Sequence, residues 1–346
     1  MRTRCTFVHA ATTSVIALGL TLAAALGGGA SAYAQTPAIG FATDRLYTSA
    51  PGAGWIVMDD LAMHGPLGGT ISVAGDYARD PLHLPAGPRA NIVSDQGSTR
   101  LGVAVTYERF RFYGNLTAPY VSQGNDATVA GYSYTAPHVD LGKNPDTYSD
   151  VRLGVDARVL GRDKSPFRLG VSAQLWVPSG EHEDFLTDGT YRAMGRVLAA
   201  GEVGSITYAG HLGVHIRPVD DAAPGAPKGS ELLFGVAGGP KLSLDASHQT
   251  ALIVGPEFFG ETAFSSFFGH LTTAFEGMLT GRIEHATESG PVLRLKAALG
   301  AGLDAEFGAA EWRTVISFEV SDHVRKQVCP PEPVLMADPP PVPTNP

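Results

Sequence analysis

The chain has 346 residues, 25 of them basic and 34 acidic, for a formal net charge of −9. That balance argues against a nucleic-acid partner, which is held through phosphate-neutralising Lys and Arg. Only two cysteines occur, Cys5 and Cys329, so no cysteine framework for a metal is present.

The chain starts as an export leader. Arg2 and Arg4 are followed by an apolar stretch from about Val15 to Leu26, and Ala32-Tyr33-Ala34 precedes Gln35. A basic start, a short apolar core and an A-x-A site read as a secretory signal peptide over 1–34, with the mature chain starting at Gln35. Cys329 is then the one mature cysteine and cannot close an internal disulfide. No mature stretch has 18 apolar residues in a row, so no helix spans a membrane.

From Gly40 onward the dominant period is two, the period of strands. "GFATDRLYTS" (Gly40 to Ser49) reads as a first strand, SAPGAG as a loop, and Trp55 to His64 as a second strand. Leu101, Val103, Val105 and Tyr107 alternate with Arg100, Gly102, Ala104 and Thr106, and a tight turn follows at Glu108-Arg109. Val151, Leu153, Val155, Ala157 and Val159 alternate with Arg152, Gly154, Asp156 and Arg158, and the pattern restarts from Phe167 to Val177. The 42 glycines are spread through these strands, where a soluble sheet disfavours them.

Short connections near 65–67, 108–109, 161–166, 203–205, 241–249 and 284–290 alternate with longer ones near 80–96, 121–148, 179–189, 218–228 and 261–270. Alternating tight turns and long loops string a transmembrane antiparallel up-and-down β-barrel. The reading is an all-β outer-membrane barrel over 35–322 with about fourteen strands, or twelve if weak pieces such as 250–260 belong to loops. The longest loop, 121–148, is the candidate to fold into the lumen. Residues 323–346 are rich in proline and lack a period, so they read as a solvated periplasmic tail.

Trp55 and Trp312 begin strands that descend from outer loops, and Trp176 ends one that rises, which gives a candidate aromatic rim. Trp176 has the parity of the polar face, so its alternative place is inside the mouth. The interior parity gives the candidate lumen-lining set: Arg100, Arg111, Arg152, Asp156, Arg158, Arg168, Arg196, His211, His215, Arg217, Glu276, Arg282, Arg294 and Lys296. Arg313, Glu108, Asp304 and Glu319 share that parity. Such charges can pair across strands and stiffen the barrel, or set the ion preference of a water-filled pore.

His211 and His215 share a face, but the sequence offers them no third ligand, and they read as lumen residues. "GEHED" (Gly180 to Asp184) reads as a solvated acidic loop, with a calcium site as its sharper alternative. No nucleophile motif, zinc-protease motif or phosphate loop is found, so neither an enzyme nor a cofactor or metal is expected.

The chain resembles the N-terminal barrel of the larger OmpA-family outer-membrane proteins. The resemblance rests on "GWIVMDDLAMHG", "SDVRLGVDARVLG", "LGVSAQLWVPSGE", "GRVLAAGEVGSITYAGHLGVHIR", "GSELLFGVAGG" and "LIVGPEFFGET", in that order, and covers roughly Gly40 to Ser321. It implies residence in the outer membrane, among lipid and lipopolysaccharide. Relatives commonly continue into a peptidoglycan-binding domain, whereas this sequence ends in the proline-rich stretch. The functions expected are a porin-like channel or transporter for small solutes, or a structural or surface-interaction barrel without an open pore.

Overall fold

The computed structural model describes residues 40–324, except 64, 85–89, 130–131, 142–147, 182, 220–228, 270–271, 287–289 and 305–307. The leader reading over 1–34 lies outside the described residues, as does the tail beyond Val324, the last residue of the final strand.

The strands in chain order are β1 (Leu67–Leu84), β2 (Ala90–Tyr107), β3 (Phe110–Gln123), β4 (Ala127–Val129), β5 (Tyr132–Tyr134), β6 (His138–Asp140), β7 (Val151–Leu160), β8 (Arg168–Val177), β9 (Arg192–Val203), β10 (Ile206–Ile216), β11 (Glu231–Ser243), β12 (Thr250–Ala263), β13 (Thr273–Ala286), β14 (Val292–Asp304) and β15 (Trp312–Val324). All but β4–β6 pair antiparallel with their sequence neighbours, and β1 pairs with both β2 and β15. The wall is therefore a closed ring of twelve strands. Closure removes every unpaired edge, which an open sheet in hydrocarbon could not do.

The ring has two different ends. Tight turns at Glu108-Arg109 and Gly204-Ser205 lie at one end, where the start of β1 meets the end of β15 through Leu67↔Val324. The longer connections lie at the other end, which by barrel convention faces outward. The long connection read over 80–96 is mostly strand, because β1 and β2 stay paired out to Leu84↔Ala90. In loop 121–148, β6 pairs with the end of β3 and extends the wall rather than the lumen.

Alternation sorts the side chains. Ile71, Leu101, Val103, Leu153, Val171, Leu299 and Ile316 are exposed on the outer surface. Their sequence neighbours Thr70, Arg100, Arg152, Ser172, Ala298 and Ser317 are buried. An apolar exterior around a charged interior is the inverse of a soluble sandwich and matches a lipid-facing wall.

The N-terminal stretch departs from the sequence reading. Residues 40–63 form no strand, and the segments 40–49 and 55–63 are not in the wall. They lie inside the ring, with Phe41, Leu46, Trp55, Ile56, Val57, Met58 and Leu61 almost wholly buried. Trp55, Ile56, Val57 and Met58 are four apolar residues in succession, which no half-solvated strand tolerates but a segment enclosed on all sides does. The ring thus has twelve strands because these two pieces fill it, while 250–260 is a full wall strand.

At mid-wall, Val155 opposes Phe112 and Ala173 on the outer face, and Asp156 is fully buried on the inner one. Val155→Arg should lower refolding stability in lipid by about 2–4 kcal/mol, the cost of a charge near the bilayer midplane. With Cys329 replaced, a cysteine at 155 should be quenched by a probe in the acyl chains and a cysteine at 156 should not. Quenching at 156 and not at 155 would invert the wall.

Candidate functional site

The lumen is built from the wall's inward arginines and the segment 40–63, called the plug below. The plug runs from the loop end of the ring to the turn end. At its entry, the Phe41 ring meets Phe185 edge-on at 5.6 Å, and the Ala42 N–H donates to Asp188 Oδ1 at 3.0 Å. Arg217 donates to both Asp188 oxygens at 2.7 Å. Burial alone would push the Asp188 carboxyl up, but Arg217 and Arg192 hold it well below the usual carboxylate range. Arg45 of the plug donates to both oxygens of Glu231 at 2.8 Å and also pairs with Glu261. Asp44 accepts from Arg100 and lies 3.5 Å from Arg313.

The middle of the plug is gripped by its backbone. The N–H groups of Ile56, Val57 and Met58 all donate to the Glu257 carboxylate, at 2.9, 2.9 and 3.2 Å. Thr280 Oγ1 donates to the same carboxylate at 2.6 Å. Successive amides converging on one anion form an anion-binding nest, here filled by a wall side chain. On the other side Arg294 donates to the Gly52 carbonyl at 2.8 Å, and Lys296 to the Ala53 carbonyl at 2.7 Å. The side chains of Trp55, Ile56, Val57 and Met58 pack into a collar of small and apolar wall residues, including Ala200, Ala209, Ala237, Ile253, Phe259 and Val315. At Gly235 any Cβ would lie 2.3 Å from Met58 Cε, so glycine is what lets the plug touch the wall there.

At the turn end, Asp59 pairs with Arg111 at 2.8 Å and Asp60 with Arg282 at 3.4 Å. Arg111 also donates to the Ala62 carbonyl at 2.6 Å, and Arg158 to the Leu61 carbonyl at 3.2 Å. Leu61 has φ +56°, and its N–H donates to its neighbour Asp59 Oδ1 at 2.7 Å, which turns the chain toward β1.

The candidate lumen residues fall into three groups. Arg100, Arg111, Arg152, Arg158, Arg217, Arg282, Arg294 and Lys296 contact the plug, as does His215, whose Nδ1 lies 3.3 Å from the Tyr47 hydroxyl. Arg168, Arg196, Asp156 and Glu276 contact other wall residues: Glu202, Ser172, Arg111 and Arg313 respectively. His211 is half-buried beside a lumen space that Arg196 also borders, and its Nδ1 has no hydrogen-bond partner among the described residues. Glu108 and Asp304, which share the interior parity, are exposed at the ends of their strands.

Of the three tryptophans, Trp312 stands on the outer surface beside Tyr77 at 5.2 Å, at the loop end. Trp176 points inward and packs on Tyr47 at 5.7 Å. Trp55 is not on the rim at all; it sits in the plug at 1 % exposure, because its neighbours in sequence form the collar contact.

The sequence reading missed Glu231, Glu257 and Glu261 on the wall and Asp44, Arg45, Asp59 and Asp60 on the plug. The wall signal was present: 253, 255, 257, 259 and 261 share the inward parity. It was blurred because Ile253 and Phe259 face the plug's apolar core, so both faces of β12 look apolar.

His215, Glu231 and Glu261 offer ligand atoms within 4.8 Å of one another. The cation among them is Arg45, bound to both carboxylates, so this set already has its counter-charge. His211 is not part of it. In "GEHED", Asp184 accepts the His138 N–H at 3.0 Å, Glu181 and Glu183 are exposed, and His182 lies outside the described residues.

Several spaces remain between plug and wall. One is bordered by Arg45, Met194, Arg196, His211 and Glu261. Another is bordered by Asp44, Thr48, Arg100, Asn115, Arg152 and Trp176. Others lie beside Gly52 and Ala62 and beside Ser49, Pro51 and Ile56.

No protein-family model matches the chain, and no curated relative matches it in sequence. Among solved structures it is similar to an outer-membrane channel from Pseudomonas putida F1, at 11 % identity and a TM-score of 0.48 over 76 % of this chain and 98 % of that one. It is also similar to the NanC porin, at 8 % and 0.43 over 72 % and 98 %. A third is the CymD monoaromatic hydrocarbon channel, at 10 % and 0.40 over 82 % and 99 %.

The Glu257 nest gives a direct check on the plug. Hydrogen bonds to a charged group contribute about 1.5–3 kcal/mol each. Glu257→Ala should therefore raise amide hydrogen exchange at Ile56–Met58 by roughly tenfold or more, while the wall-strand amides stay protected. Unchanged exchange at these three amides would mean that the nest does not hold the plug.

Proposed function

We propose that the protein is an outer-membrane channel for small solutes, with passage set by residues 40–63. The observation that carries this reading is the nature of the filling. The lumen is occupied by a separate segment that forms no ladder with the wall and is held by wall side chains, with spaces left beside it. Eight-stranded barrels are filled by their own side chains, and sixteen-stranded ones hold an aqueous channel; twelve strands leave a bore that one segment can block. The inward charges, Arg100, Arg152 and Arg196 among them, would line the path and set its ion preference.

A second reading is a structural or surface-interaction barrel without an open path. The apolar collar around Trp55–Met58 favours it, since burying four large apolar residues seats the plug firmly. Under both readings the protein carries no catalytic role and contacts outer-membrane lipid and lipopolysaccharide. Kinship with the OmpA-family barrels belongs to the same proposal.

Conductance separates the two. In a planar bilayer the full chain should give small single-channel steps, and deletion of residues 40–58 should enlarge them by roughly threefold or more. Silence from both proteins, each inserted and heat-modifiable on gels, would favour the structural barrel and overturn the channel.

A further inference from the structure

The charge pairing of the lumen is incomplete at two places. Most wall arginines have a carboxylate within 4 Å; Arg100 has Asp44 and Asp76, and Arg192 has Asp150 and Asp188. Among the described residues Arg152 and Arg196 have none. Arg152 is 6 % exposed and donates only to Thr48 of the plug, to its carbonyl at 2.7 Å and its hydroxyl at 3.1 Å. Arg196 is 3 % exposed, and its hydrogen bond is to Ser172 Oγ at 3.4 Å. A guanidinium has five N–H groups, so both keep donors to spare.

Arg152 borders the space beside Asp44, Thr48 and Trp176, and the groups around it have a consistent chemistry. Its neighbour on β3 is Asn115, 8 % exposed, whose Nδ2 is buried without an acceptor. Its neighbour on β8 is Trp176, an apolar wall to the same space, with Leu46 of the plug and Leu186 of the outer loop nearby. Two buried donor groups on neighbouring strands, neither with a carboxylate partner among the described residues, thus border one space together with Leu46, Trp176 and Leu186. A buried charge or amide is not left so unless something satisfies it.

We propose that this space is a binding site for a small monocarboxylate with a short apolar tail. The Arg152 guanidinium takes the carboxylate through parallel N–H bonds, the geometry it matches best. Asn115 Nδ2 donates to the second side of the anion, and the tail lies against Trp176 and Leu46. A single negative charge is preferred, because Asp44 and Asp150 border the same space and repel a second one. Arg196, facing Ser172 on β8 four residues from Trp176, is the next cation without a carboxylate within 4 Å toward the turn end and offers a second step along the β7–β9 side. The inference rests on the channel reading for its role in passage, but the site itself does not require conduction.

The test uses the full chain in detergent and n-butyrate as the probe, measured by equilibrium dialysis. One saturable site per chain is expected, with n-butylamine failing to compete. Arg152→Gln should weaken butyrate roughly tenfold or more, and Asn115→Ala by a smaller but clear factor. Asn115 touches no plug residue by hydrogen bond, so its variant also covers the case in which loss of Arg152 disturbs Thr48 or folding. Absence of saturable binding to the wild-type chain, or equal binding in Asn115→Ala and the wild type, overturns the site. Butyrate binding with a silent bilayer trace would leave the site standing and remove the channel; conduction without butyrate binding would do the reverse.

Discussion

A ring of twelve strands encloses more space than its own inward side chains fill, since a side-chain-filled interior is reached at about eight. Much of the rest of the molecule answers that constraint. The inward positions carry long, charged side chains, and the residual bore is filled by residues 40–63, which cross it from the loop end to the turn end. Their course is fixed at three heights: Glu231 of the wall and Asp188 of the outer loop near the entry, Glu257, Arg294 and Lys296 in the middle, and Arg111, Arg158 and Arg282 at the exit.

The electrostatics follow from the same enclosure. In a confined, partly dry interior, a guanidinium without a partner is costly, and removing one member of a buried pair costs about 3–5 kcal/mol. The plug supplies Asp44, Asp59 and Asp60 to wall arginines and receives Glu231, Glu257 and Glu261 in return. This reciprocity makes the plug a complement of the wall. The apolar collar adds a non-directional contribution where the ladder of charges is interrupted. Among the described residues, the two inward arginines without a carboxylate within 4 Å, Arg152 and Arg196, lie on one side of the ring, on β7 and β9.

Much of this was legible in the sequence. β7 and β8 alternate cleanly because one face meets lipid and the other a polar lumen, so the inward charges Arg152, Asp156, Arg158 and Arg168 could be named from parity alone. The order of tight turns and long loops gave the two ends of the ring. Residues 40–49 and 55–63 differ from the strands expected there, because "GFATDRLYTS" has a partial period of two and a barrel strand is the simplest reading of each. The contrary signal, Trp-Ile-Val-Met in succession before two aspartates, marks a segment enclosed on every side. β12 was weak for a related reason: Ile253 and Phe259 face the plug, so its inner face is as apolar as its outer one. A lumen that holds another part of the same chain erases the very contrast by which a barrel strand is recognised.

The account depends on the plug lying inside the ring, and proximity across the wall tests this most directly. With Cys329 replaced, cysteines at 58 and 235 should be joined by a short thiol cross-linker in intact outer membranes, since Met58 meets the inner face at Gly235. Cysteines at 58 and 236 should not be joined, because Val236 is exposed on the outer surface. Efficient joining of 58 to 236 and not to 235 would place residues 40–63 outside the ring and contradict the account.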